Sequence, residues 1–177
     1  MARFHHGALM AVAALLLAST ARSQLVRPTL QWLDTKTGLS HNQVNALALD
    51  SLDQLWMGTS DGLCKFDGGT IRVYRSNGRA GSIANEHIRS LAVGADGLIY
   101  VGSDASMLTI VDPRTDSIRN IPLAALRSSP EQACTVDALV ADGSTSMLGL
   151  LNTGAFFRFD ARTRTVRTIK LAISNGA

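Results

Sequence analysis

Few side chains in this sequence are spaced for chemistry. His41 and His87 are the only histidine candidates for a general base outside the N-terminal leader, because an imidazole titrates near neutrality and can take a proton from a reacting group. They recur near the start of successive repeats, but no third ligand follows at metal spacing. A zinc site needs three or four N, S or O donors, so no metal is expected. His5-His6 belong to the basic start of the leader. Asp50-Ser51-Leu52-Asp53 and Asp61-Gly62 lack the carboxylate spacing of a calcium loop, and turn formation explains them. Cys64 and Cys134 fall on strands of different repeats, too far apart for the Cα approach of under ~7 Å that a disulfide requires. Both are expected to be small buried hydrophobes. Arg158, Arg162, Arg164, Arg167 and Lys170 alternate with Thr, Val and Ile, which fits a solvated outer hairpin guarding a sheet edge. There is no Gly-x-Ser-x-Gly elbow, no phospho-acceptor helix and no Gly-rich nucleotide loop after a strand. No catalytic, metal or cofactor residue is therefore assigned, and the chain is not expected to be an enzyme.

Hydrophobic residues make up 46% of the 177 and charged residues 18%, so the chain can bury a core. Arg3, His5 and His6 precede an unbroken apolar run from Ala8 to Ala18, and Ser19–Ser23 is polar. Eleven apolar residues make a helix of roughly 16 Å, half the ~30 Å of a bilayer core. Small residues at Ala21 and Ser23 fit signal-peptidase cleavage before Gln24, so residues 1–23 are expected to be a signal peptide and the rest exported to the periplasm. Without Arg3 and Arg22, fifteen basic side chains face fourteen acidic ones. A net charge of +1 carries no nucleic-acid footprint. No later stretch is long enough to span a membrane.

Residues 24–177 repeat. Asp67-Gly68-Gly69-Thr70, Asp112-Pro113-Arg114-Thr115 and Asp160-Ala161-Arg162-Thr163 each place Thr three residues after Asp, and Val73, Ile118 and Val166 follow three residues later. The spacings of 45 and 48 residues are those of propellers and solenoids. Val44-x-x-Leu47, Ile88-x-x-Leu91 and Val136-x-x-Leu139 recur upstream. Leu55–Thr59 matches Ile99–Ser103 and, more loosely, Met147–Leu151. The first unit divides into strands near 43–49, 54–58, 63–66 and 70–74, with turns between them. Each turn Asp is placed to accept backbone N–H groups two residues on, setting the hairpin into the fourth strand. The second strands are apolar on both faces and need cover on both sides. Four-stranded units covered by their neighbours describe an all-β propeller of about three blades; a three-layer sandwich is the competing fold.

Gly38-Leu39-Ser40-His41-Asn42-Gln43-Val44 followed by Leu55-Trp56-Met57-Gly58-Thr59 and Gly62-Leu63-Cys64-Lys65-Phe66-Asp67-Gly68 resembles the two-component regulator propeller repeat. The second copy is looser, with Glu86 for the Asn and Tyr100 for the Trp; the third keeps the hairpin and apolar spacing. The blades are expected over 38–80, 81–124 and 125–177. Within the leader at 24–37, Leu30-Gln31-Trp32-Leu33 resembles the lone strand that closes the ring in such proteins. At about 45 residues per blade, residues 24–177 hold about 3.4 blades, short of the roughly four to eight of a closed ring. The chain is thus expected to be the N-terminal part of a longer sensor.

The resemblance implies a periplasmic sensor of a small molecule, carbohydrate among the known classes, with a histidine kinase or diguanylate cyclase as output. Further blades of the same polypeptide and a homodimer of the full-length receptor are the implied partners. A ligand would enter where blade connections converge, near Asn42, Glu86 and Asp104, none of which is assigned as a contact. The alternatives are an exported scaffold for other proteins and a lyase-like enzyme using His41 or His87.

Overall fold

A computed structural model describes residues 30–127, 129 and 131–169, so the expected signal peptide at 1–23 and Lys170 lie outside it. The chain divides into a unit at 1–31 and a second at 32–177, and the blades lie in the second. Twelve strands and one 3-10 turn make up the regular structure of the described residues.

Blade 1 contains β1 (Val44–Leu49), β2 (Leu55–Thr59), β3 (Gly62–Phe66) and β4 (Ile71–Tyr74). Blade 2 contains β5 (Ile88–Val93), β6 (Ile99–Ser103), β7 (Met107–Val111) and β8 (Ile118–Pro122). Blade 3 contains β9 (Val136–Asp142), β10 (Ser146–Leu151), β11 (Phe156–Asp160) and β12 (Thr165–Ile169). Each is an antiparallel meander paired in chain order. The strands expected in the first repeat match to within a residue.

The three sheets stack on their faces. Strand β2 splits its side chains: Trp56 joins Leu63 and Tyr74 against Ile88, Ile99 and Val101 of blade 2, while Met57 points the other way with Cys64 onto Leu39 and Leu33. Strand β6 does the same one blade later, sending Val101 back and Tyr100 forward onto Met147, Phe157 and Phe159 of blade 3. Both faces of a middle strand are therefore buried, as its two-sided apolar sequence requires. The inner strands β1, β5 and β9 stand side by side in that order, an open series of blades. Glycine permits that approach. A Cβ on Gly58 would lie 2.5 Å from Ile88 Cγ2, and one on Gly102 would lie 2.5 Å from the Val136 carbonyl oxygen.

The outer turns behave as the repeat predicts. Asp67 Oδ1 accepts from the N–H groups of Gly69 and Thr70 at 2.9 and 2.7 Å, Asp112 Oδ1 from Arg114 at 2.9 Å, and Asp160 Oδ1 from Arg162 and Thr163 at 2.9 and 2.8 Å. These backbone donors hold the three carboxyls below the usual carboxylate range. The expected equivalence of Val73 with Ile118 and Val166 fails, however. Phe66 pairs with Ile71, whereas Val111 pairs with Ile118 and Phe159 with Val166, so the first outer turn is two residues shorter. Gly68 at φ 95° makes the short turn; Asp116 and Arg164, both at φ 56°, occupy matching places in the longer two.

In the segment expected to close the ring of the full protein, Leu33 packs on the blade 1 core and Trp32 is 83% exposed. One further expectation is corrected. Cys134 precedes β9 rather than lying in a strand. It and Cys64 are both buried, and neither is in a disulfide.

A polar clamp ties the outer rims of blades 1 and 2. Asp116 receives Lys65 Nζ at 2.6 Å, the Arg72 guanidinium and the Tyr74 hydroxyl, all from blade 1. Burial pushes the Asp116 carboxyl up, but the hydrogen bonds from Lys65 and Tyr74 and the charges of Lys65 and Arg72 outweigh it and hold it low. Trp56 lies beneath, stacked on Tyr74 at 5.6 Å, with its Nε1 donating to buried Asp50 at 2.8 Å.

Candidate functional site

Each inner strand begins with the same irregularity. The ladder of β1 on β2 skips Asn45, that of β5 on β6 skips Arg89, and that of β9 on β10 skips Asp137. A bulge leaves its extra residue out of the ladder and re-aims the side chain. Here it puts one polar side chain per blade at the same end of three neighbouring strands. Asn45, Arg89 and Asp137, with Gln43 and His87 from the preceding positions, line a cleft of about 270 Å³.

The cleft is wired across the blades. Asn45 Nδ2 donates to the Ile88 carbonyl oxygen at 2.8 Å, and Gln43 Nε2 donates to Asn45 Oδ1 at 3.1 Å. Arg89 pairs with Asp104 and lies 3.8 Å from Asp137 Oδ1. The hydrogen bond to Asp104 and the charge of Asp137 raise the already high pKa of Arg89, so the cation is permanent. Two amides, an imidazole, a guanidinium and a carboxylate thus face one space, with donors and acceptors interleaved. Such a surface can hydrogen-bond a polar solute from several sides at once.

The candidates from sequence separate here. His87 lines the cleft. His41 does not: its Nδ1 accepts from the Gln43 N–H at 2.9 Å, two residues before the cleft begins. The residues at matching places are instead Gln43, His87 and Thr135, whose carbonyls accept from Ser60, Asp104 and Asn152 in turn. Asp104 reaches the site through Arg89. Asn42 and Glu86 do not line the cleft: Asn42 Oδ1 accepts from the Thr35 N–H at 2.9 Å, and the Glu86 backbone carbonyl accepts from the Gly62 N–H at 2.8 Å. Sequence reasoning missed Asn45, Arg89 and Asp137. Their alignment with one another, one residue after Val44, Ile88 and Val136, was the available signal.

Residues 38–61 match the two component regulator propeller family. Forty residues are 52% identical to histidine kinase P4 of Formosa agariphila, a span of 23% of this chain and 3% of that protein. The extracellular domain assigned to the hybrid two component system BT4673 of B. thetaiotaomicron superposes with a TM-score of 0.63 at 22% identity, over 80% of this chain and 18% of its own. That of BT3049 from the same organism gives 0.61 at 20% identity, over 79% and 20%. The chain therefore spans a fifth or less of each of these relatives. No helix among the described residues is long and apolar enough to cross a membrane. The chain carries a two component regulator propeller repeat at residues 38–61, and its described part is three blades of a β-propeller.

Proposed function

We propose that this chain is part of an exported, ligand-sensing propeller of a two-component-type receptor, and that the ligand binds in the cleft at the heads of β1, β5 and β9. The observation that carries this reading is the repeated bulge. The same distortion recurs in three blades, yet the residue it displays is different each time: Asn45, Arg89 and Asp137. A distortion kept for structure alone does not require three polar side chains aimed into one cleft. The match to the propeller family and the likeness to extracellular domains of two-component systems support the sensor role. A polyhydroxylated solute suits the interleaved donors and acceptors. On this reading the chain binds and does not turn its ligand over, with signalling output, further blades and dimer contacts supplied by the rest of a longer receptor.

The test is saturation-transfer NMR of the purified chain against a panel of neutral mono- and oligosaccharides. Binding that disappears in both Arg89→Ala and Asp137→Ala, with the fold intact by circular dichroism, is the expected result. Binding that survives both substitutions, or no binding by any sugar at millimolar concentration, would refute the site. A steady chemical change in a bound sugar, abolished by His87→Ala, would favour an enzyme instead.

A further inference from the structure

The two blade interfaces are built on one plan and differ in the side chains at their outer rims. By register, Trp56 of blade 1 corresponds to Tyr100 of blade 2, Lys65 to Ile110, Arg72 to Arg119 and Tyr74 to Ile121. At the first interface Lys65, Arg72 and Tyr74 close on Asp116. The residue in the matching place of blade 3, in the same outer turn and at the same φ of 56°, is Arg164. The carboxylate has been replaced by a cation.

The consequence is a hole. Where Lys65, Tyr74 and Asp116 fill the first rim, the second has a cavity of about 110 Å³. Arg119 and Arg164 line it from opposite blades, over an apolar floor that includes Ile110, Ile121 and Phe159. Asp96 is also present, but its carboxylate serves its own turn, accepting from Tyr100 Oη at 2.7 Å and from the Leu98 N–H at 3.1 Å. It makes no ion pair with either arginine. Two guanidiniums and one carboxylate leave a single uncompensated positive charge beside an apolar surface, at a point where the neighbouring interface holds a carboxylate.

We propose that the rim between blades 2 and 3 binds a small monocarboxylate with a short apolar tail, its carboxylate bridging Arg119 and Arg164 and its tail lying on Ile110, Ile121 and Phe159. Guanidinium groups hold carboxylates through paired N–H donors, and the apolar floor selects against a bare inorganic anion. This site lies at the outer rim, away from the cleft of the inner strands, and does not rest on the sensor reading.

The probe is propionate, followed by saturation-transfer NMR and by the melting temperature of the full chain, with sodium chloride at matched ionic strength as the baseline. The key variant is Arg164→Asp, which removes one guanidinium and sets a carboxylate opposite Arg119, the counterpart of Arg72, at a backbone angle that Asp already adopts in blade 2. Propionate is expected to give saturation transfer to its methyl group and to raise the melting temperature of the natural chain. Arg164→Asp is expected to melt higher than the natural chain without propionate, and to lose at least tenfold in propionate affinity. Arg89→Ala is expected to leave propionate binding unchanged. The proposal is overturned if the natural chain gives no transfer at 50 millimolar propionate, if Arg164→Asp binds propionate as well as the natural chain does, or if inorganic phosphate competes as strongly as propionate.

Discussion

Asp116→Asn tests whether the blades are held together at their rims as well as through their cores. Asn keeps the shape and tolerates the positive φ of 56°, so the backbone turn survives while the charge and one of the two acceptor oxygens are lost. The side chain of Asp116 is 22% exposed and that of Lys65 12%, between the limits of a surface pair and a buried one. A surface pair contributes at most about 1 kcal/mol, and breaking a fully buried one costs about 3–5 kcal/mol. Hydrogen bonds to charged groups contribute about 1.5–3 kcal/mol, and that is the loss expected for Asp116→Asn. Arg72 is 60% exposed, so Arg72→Ala is expected to cost under about 1 kcal/mol. Urea unfolding of the full chain followed by tryptophan fluorescence measures both, because buried Trp56 lies under the clamp. Acid supplies a second check. The folded Asp116 carboxyl is held below its ordinary value, so its contribution is complete above about pH 4, near the unfolded pKa. It is lost as pH falls through the folded value, and the gap between the two proteins is expected to close in strong acid. A loss below about 0.5 kcal/mol for Asp116→Asn at pH 7 would refute the clamp, since that is the scatter of inert surface changes.

Other perturbations give separate readings. Trp56→Ala removes a fully buried ring and leaves buried Asp50 without its indole donor; a loss of at least about 3–5 kcal/mol in urea unfolding is expected. Gly102→Ala places a methyl group against the Val136 carbonyl and is expected to cost about 1–3 kcal/mol by the same assay. Asp160→Ala removes two backbone acceptor contacts in an exposed turn and is expected to cost about 0.5–1.5 kcal/mol, with faster amide exchange at Arg162 and Thr163. Cys64 and Cys134 are expected to resist a thiol reagent in the folded chain and to react together on unfolding.

Much of the scaffold was legible because blade-forming information is local. Alternating apolar residues between Gly- and Asp-bearing turns locate each strand, and the turn aspartates announce the outer hairpins. What the sequence hid depends on neighbours far along the chain. The bulges at Asn45, Arg89 and Asp137 arise where one blade head meets the next, and Asn45 is held by the Ile88 carbonyl of another blade. Motif spacing paired Val73 with Ile118 because it counts residues from the turn Asp, whereas hydrogen bonding counts from the strand end, and the first turn is two residues shorter. The arginines of the third repeat read as a solvated edge. Arg158, Arg162, Arg164 and Arg167 are exposed as that reading has it, but it did not show that Arg158 pairs with Asp142 across the sheet or that Arg164 lines a cavity against blade 2. His41 and His87 looked equivalent by proximity to the inner strands, but the ladder offsets them by two residues.

The radial stacking of the blades is open to one direct measurement, a nuclear Overhauser experiment on the full chain. Cross-peaks from the Gly58 Hα protons to the Ile88 methyl groups, and from the Gly102 Hα protons to the Val136 methyl groups, are expected together, because these pairs join successive blades and no strand ladder connects them. Intact contacts within each four-stranded sheet with neither cross-peak present would contradict the propeller.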